Sequence, residues 1–187
     1  TLRNYIVSSS KDEGDKESFD VIRTSDSDGV EEQVELTVSF RLNEDLVRKF
    51  HERLGLKYEA WTEDGWRKML ADNMRQPLNN AATKALKGFS ADEIRKDPAV
   101  MDKVEAAIEK ELSASLAEVM GDQYFCGPTA EGDKACGPIQ VVVKSITPVS
   151  KDVAASYDKQ KQSANGIQVA KNEAQQQIER AEGEKAA

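Results

Sequence analysis

Hydrophobic and polar residues alternate along one stretch of the first half of the chain, from Gln33 to Leu42. The apolar positions are Val34, Leu36, Val38, Phe40 and Leu42, and polar or charged residues stand between them. A period of two is typical of a strand with one buried face. Shorter strands are predicted at Leu2–Val7 and Phe19–Ile22. Asp28-Gly29 predicts a hairpin before the long strand, because glycine readily adopts a positive φ.

Helical spacing replaces this alternation after Leu42. Asn43 is expected to cap a helix that ends at Gly55. Its expected buried face is Leu46, Val47, Phe50 and Leu54. A second helix is expected from Thr62, with a kink or break at Pro77. Its apolar positions are Trp66, Met69, Leu70, Met74, Leu78, Ala81, Ala82 and Ala85.

Two further helices and a strand are predicted before residue 150. Ser90 to Glu93 forms a capping-box pattern for a short helix. Asp97-Pro98 then opens a long helix that is expected to end at Gly121. Its apolar stripe consists of Met101, Val104, Ile108, Leu112, Leu116 and Val119. The apolar run from Ile139 to Ile146 predicts a strand that breaks at Thr147-Pro148.

The last third of the chain, from Lys151 to Ala187, is rich in Ala, Gln, Glu and Lys. An alternating spacing of three and four residues indicates a weak coiled-coil seam, which Gln160 and Lys171 interrupt. The seam positions are Val153, Tyr157, Ala164, Ile167, Ala174 and Ile178. A long helix that packs against neighbouring molecules is therefore predicted, and a disordered polar tail is the alternative.

These patterns predict an α+β fold of mostly antiparallel strands packed with helices. We expect one domain over residues 1–150 and the start of a long oligomerising helix over 151–187. The chain begins with Thr1 and keeps its helical character to its last residues. We therefore interpret it as part of a longer protein, whose helix continues beyond Ala187.

Charge is distributed unevenly along the chain, whose net charge is −8. Lys11 to Glu35 carries 3 basic and 10 acidic residues, whereas Lys151 to Ala187 carries 6 of each. A solvated acidic loop is the favoured interpretation, with a cation or partner site as the alternative. No basic stripe is available to neutralise phosphates, which disfavours nucleic-acid binding.

The two cysteines, Cys126 and Cys136, flank a polar loop that contains glycine and proline. This arrangement favours a disulfide, which would indicate an oxidising compartment. Two unpaired thiols in the cytosol are the alternative. Zinc binding is disfavoured, because the single histidine, His51, lies far away in sequence.

Sequence motifs of catalysis are missing. There is no phosphate-binding glycine loop, nucleophile elbow or paired-histidine metal motif. His51 is expected to be a partly exposed structural residue, and Trp61 and Trp66 to be core or interface residues rather than a platform for a ligand. Asp26 and Asp28 match part of a calcium loop, but the flanking strands favour the hairpin. No enzymatic activity and no cofactor are therefore predicted.

The order of elements resembles the SPFH domain, also called band 7 or prohibitin-homology domain. The resemblance rests on the Asp28-Gly29 hairpin, the strand ending in Phe40-Arg41-Leu42, the strand from Gly137-Pro138-Ile139 to Ile146-Thr147-Pro148, and the polar helix ending Ala181-Glu-Gly-Glu184. Stomatins, prohibitins, flotillins and the bacterial HflK/HflC pair belong to this family.

This resemblance implies a non-enzymatic, membrane-associated scaffold protomer that oligomerises into a ring or cage of many copies. Such a ring or cage would organise membrane microdomains or enclose membrane proteins, and the tether would be an N-terminal segment outside this chain. The alternative is an adaptor that binds a membrane-bound AAA protease. The residues expected at the oligomer interface are those of the seam: Val153, Tyr157, Ala164, Ile167, Ala174 and Ile178. The cysteines favour the extracytoplasmic side of the membrane.

Overall fold

A computed structural model of the chain describes residues 2–10, 21–128 and 135–185. The chain divides into two compact units, Thr1–Thr147 and Pro148–Ala187. The first unit combines antiparallel strands with helices, and the second is a long helix. The predicted α+β class is thus confirmed.

Strand β3 (Glu31–Leu42) is the centre of the sheet, and its burial alternates as its sequence predicts. It pairs antiparallel with β2 (Ile22–Ser25) near its start and with β1 (Arg3–Val7) in its middle. Its last two residues pair with β4 (Phe125–Cys126), and β5 (Gln140–Pro148) also pairs with it. Every other strand of the described residues is therefore held by β3.

The hairpin between β2 and β3 forms at the predicted position, with Gly29 at a φ of 82°. The Oδ1 atom of Asp26 accepts hydrogen bonds from the backbone amides of Asp28 and Val30, both at 2.9 Å. This closes the turn with a side chain, as aspartate commonly does. Phe19 and Asp20, which begin the strand predicted at Phe19–Ile22, lie outside the described residues.

The helix after β3 differs from its prediction. A 3₁₀ turn (Glu44–Leu46) leads into α1 (Val47–Phe50), a π-helical turn (His51–Gly55) and α2 (Leu56–Tyr58). Gly55 does not end this helix, because its φ of −54° is helical; the left-handed residue at the end is Glu59. Phe50 and Leu54 are buried as expected, but Val47 is exposed and Leu46 only half-buried.

Helices α3 (Glu63–Asn73) and α4 (Arg75–Leu86) are separated at Met74, three residues before Pro77. The proline lies in the first turn of α4, where its missing N–H costs no intrahelical hydrogen bond. Helix α5 (Ala91–Lys96) begins with the predicted capping box. Helix α6 (Pro98–Met120) begins at the Asp97 cap and ends at Gly121, as predicted.

The predicted apolar stripe of α6 is wrong at its last position, because Val119 is exposed and Met120 is buried. The buried residues follow a spacing of four throughout: Val100, Val104, Ile108, Leu112, Leu116 and Met120. Together with one face of β1, β3 and β5 and with the apolar faces of α3 and α4, they form the core of the first unit.

Helix α6 also supplies polar side chains to the backbone of β5. The amides of Val141 and Val143 donate to the Oε1 atoms of Glu109 and Glu105, at 2.9 and 2.7 Å. The amide of Ile139 donates to Oγ of Ser113 at 3.2 Å. Side chains four residues apart on α6 thus take the place of a neighbouring strand along this edge of β5.

Candidate functional site

The second unit begins with a side-chain cap. The Oγ atom of Ser150 accepts a hydrogen bond of 3.4 Å from the amide of Val153, and its carbonyl oxygen accepts one from Ala154. Helix α7 (Lys151–Lys185) follows as 35 continuous helical residues. At 1.5 Å per residue it extends about 50 Å. It is therefore a helix, and the alternative of a disordered tail does not hold for the described residues.

Nearly all of α7 is solvent-exposed. Val153, Ala154 and Tyr157 are half-buried, and every side chain from Asp158 to Arg180 is exposed. Ile167 and Ile178 expose 57% and 52% of their surface. Eleven residues separate them, which at about 100° per residue places them roughly 20° apart on one face. All six seam positions fall on this face, which we call the seam face.

The face opposite the seam face also carries an apolar side chain, which the sequence analysis did not identify. Val169 exposes 55% of its surface and lies about 160° around the helix from Ile167. Hydrogen bonds between polar side chains four residues apart stabilise the helix. Gln168 donates to Asn172 at 3.1 Å, and Gln175 to Glu179 at 3.3 Å. Isolated apolar residues thus stand on two sides of an otherwise polar helix.

The two cysteines lie together in the first unit. The Cα atoms of Cys126 and Cys136 are 4.9 Å apart, within the range of disulfides, and their sulfur atoms are at bonding distance. Cys126 is the last residue of β4 and has no exposed surface. Nη2 of Arg41 donates to the carbonyl oxygen of Ala135 at 2.9 Å, beside Cys136. Residues 129–134 of the intervening loop lie outside the described residues.

The described residues contain no group of three or more His, Cys, Asp or Glu side chains placed to hold a metal ion. His51 is exposed, as expected. Trp66 is half-buried, whereas Trp61 is 62% exposed and is not a core residue. Within the part of the chain that the structure covers, none of the helices is both long and apolar enough to span a membrane.

A family model matches the chain from residue 3 to residue 185, and its description is "SPFH domain / Band 7 family". The chain belongs to the SPFH family. The match covers both the α+β unit and helix α7. No curated protein matches this SPFH chain significantly.

SPFH proteins are in general non-enzymatic scaffolds associated with membranes, and they form oligomers there. The family therefore gives this chain a broad class of function. Among the described residues, α7 combines the exposed apolar side chains of Ile167, Val169 and Ile178 with a length of 35 residues.

Proposed function

We propose that this SPFH chain is a scaffold protomer that assembles side by side, through α7, into a ring or cage of many copies. The proposed interface consists of the seam face, with Val153, Tyr157, Ala164, Ile167, Ala174 and Ile178, facing Val169 and its surroundings on the next copy. A ring of this kind would organise membrane microdomains or enclose membrane proteins.

The observation that carries this proposal is the exposure of α7. Ile167 and Ile178 recur on one face of α7, and each would gain roughly 1.5–3 kcal/mol on full burial at a contact. The seam is poor in large residues, and Gln160 and Lys171 interrupt it. A weak contact of this kind suits lateral packing in many copies better than one tight dimer.

The membrane tether belongs to the proposal as a segment outside this chain. The cysteine pair supports a location on the extracytoplasmic side, because disulfides persist in oxidising compartments.

The test is the particle size of the full-length protein, extracted in mild detergent and measured by sedimentation and electron microscopy. We expect a large oligomer for the native sequence. Ile167→Asp together with Ile178→Asp should abolish it, because two carboxylates on the seam face would have to be buried at each contact. The thermal unfolding of the first unit should remain unchanged.

The matched control is Ser163→Asp together with Asn172→Asp, which adds the same charge on the flanks of α7 and should leave the oligomer intact. A native protein that sediments only as a monomer at micromolar concentration would contradict the proposal. If that monomer bound a membrane-bound AAA protease one-to-one, the adaptor function would replace the scaffold.

A further inference from the structure

A cleft of about 430 Å³ opens on the first unit, where β1 begins and β3 ends. Two arginines, two tryptophans and the histidine of the chain are among its lining residues. We call it the arginine–tryptophan cleft and define it by Arg3, Arg41, His51, Trp61 and Trp66. Its volume is within the usual range of small-molecule sites.

The aromatic wall of this cleft is fixed by packing. The ring of Trp66 lies 6.4 Å from that of Phe40 and 6.0 Å from that of Phe50. The guanidinium carbon of Arg3 lies over the Trp66 ring, 5.1 Å from its centroid. Cation–π contact therefore holds Arg3 against the wall.

The exposed tryptophan, Trp61, stands on a turn that is closed by hydrogen bonds. Glu59 has a φ of 53°, an unusual conformation for a residue other than glycine. Thr62 donates to the carbonyl oxygen of Glu59 with both its amide and its hydroxyl group, at 2.8 and 2.9 Å. A Cβ atom at Gly65 would lie 2.2 Å from the carbonyl oxygen of Tyr58, so α3 approaches this turn as closely as a glycine permits.

A π-helical turn (His51–Gly55) also lines the cleft, together with the two tryptophans. His51 begins this turn, and the centroid of its ring lies 5.9 Å from that of Trp61. Such turns occur frequently at functional sites. The exposed ring of Trp61 thus lies next to the π-helical turn, on a backbone turn that is closed by hydrogen bonds.

The charge of the cleft defines what it would bind. Among the described residues, no carboxylate forms an ion pair with Arg3 or Arg41, although Glu44 also lines the cleft. Nη2 of Arg41 is bonded to the carbonyl oxygen of Ala135, on the face of β3 opposite to Phe40 and Trp66. The cation that lies beside the aromatic rings is therefore Arg3, in a chain whose net charge is −8.

We propose that the arginine–tryptophan cleft binds an amphiphilic anion, that is, a carboxylate or phosphate group attached to an apolar body. Arg3 would bind the anionic group with charge-assisted hydrogen bonds, and the rings of Trp61, Trp66 and His51 would cover the apolar part. Binding of such an anion in the cleft does not depend on assembly through α7.

Tryptophan fluorescence tests the proposal directly, because both tryptophans of the chain line this cleft. Decyl phosphate, below its micellar concentration, should cause a saturable change, and decanol should bind at least about tenfold more weakly. Arg3→Gln should weaken decyl phosphate binding by about tenfold or more, since it removes a charged donor. Arg23→Gln, an exposed arginine of β2, is the matched control and should have no effect.

A second arm separates two sources of the anion. Arg3-dependent co-sedimentation with phosphatidylglycerol vesicles, but not with phosphatidylcholine vesicles, would assign the ligand to a lipid headgroup. Binding of free decyl phosphate without vesicle binding would assign it to a soluble anion.

Three results would overturn the proposal: equal binding of decanol and decyl phosphate, affinity unchanged by Arg3→Gln, or no response in either arm. A fluorescence change that depends only on protein concentration would show that the cleft is covered by a second copy, and would overturn it too. Decyl phosphate should bind Ile167→Asp/Ile178→Asp with unchanged affinity, so that failure of assembly and failure of ligand binding are distinguished.

Discussion

Glu32 of β3 is a carboxylate with no solvent-exposed surface. Its Oε1 atom accepts a hydrogen bond of 2.6 Å from Nη2 of Arg95 on α5. Burial raises the pKa of Glu32, and the nearby carboxylate of Asp26 adds to that shift, while the hydrogen bond and charge of Arg95 oppose it. The net direction is upward because desolvation of the charged form is the largest effect.

The raised pKa predicts a pH dependence of stability. The folded state holds the Glu32 proton more tightly than the unfolded chain does. The stabilisation is therefore complete below the ordinary value of 4.5 and is lost as pH rises through the folded pKa. The unfolding free energy of the native protein should fall relative to that of Glu32→Gln between pH 4 and pH 7, measured by urea denaturation.

Glu31→Gln is the control for this experiment, because Glu31 is the exposed neighbour of Glu32 on the same strand. Parallel pH profiles for the native protein and Glu32→Gln would show that the pKa of Glu32 is not raised by folding.

The cysteine pair gives a second prediction at the scale of residues. A cross-link between positions 10 apart should stabilise the fold by about 2–3 kcal/mol through the entropy of the unfolded chain. Cys126→Ser with Cys136→Ser should lower the unfolding free energy by that amount in denaturant titrations. Thiol titration of denatured, unreduced protein should find no reactive thiol, and two reactive thiols would exclude the disulfide.

At the scale of elements, α6 stabilises β5 through hydrogen bonds as well as apolar packing. Glu109→Leu would leave the buried amide of Val141 without its acceptor and should lower the unfolding free energy by about 1–3 kcal/mol. Glu109→Gln keeps an acceptor oxygen at that position and should lower the unfolding free energy clearly less. Chemical denaturation of the two variants compares them, and equal stabilities would mean that the hydrogen bond contributes nothing.

The elements that were predicted correctly are those that local pattern determines. The alternation along β3, the Ser90 and Asp97 caps and the Gly121 end each depend on a few neighbouring residues. Val119 was misjudged because residues three and four positions apart are both plausible members of a helical stripe, and only packing selects between them. The π-turn at His51 likewise has no local signal that distinguishes it from a helix ending at Gly55.

At the scale of the whole molecule, the arginine–tryptophan cleft could not be read from the sequence. Pairing of Arg3 with Phe40 brings β1 to the end of β3, and the packing of α3 adds Trp66. These three segments are far apart in the sequence, and no local pattern in the residues between them predicts that they come into contact. The apolar spacing along α7, in contrast, repeats within one helix and was therefore visible in the sequence.

The two apolar faces of α7 predict how copies would assemble. In the proposed lateral array the seam face of each copy contacts the Val169 side of the next, so every contact uses both faces. In the full-length protein, Val169→Asp should therefore reduce large particles to monomers, as Ile167→Asp with Ile178→Asp should. Mass photometry of both variants measures this, and large particles in Val169→Asp would exclude Val169 from the contact.

The covered edge of β5 has a consequence for the proposed assembly of many copies. Crowded sheets with open edges tend to fuse through their backbones, which leads to strand exchange and fibres. Here the outward amides of Ile139, Val141 and Val143 are already bonded to side chains of α6. In the proposed assembly, neighbouring copies would therefore stand close together without pairing their strands at β5, so that crowding would favour an ordered array over aggregation.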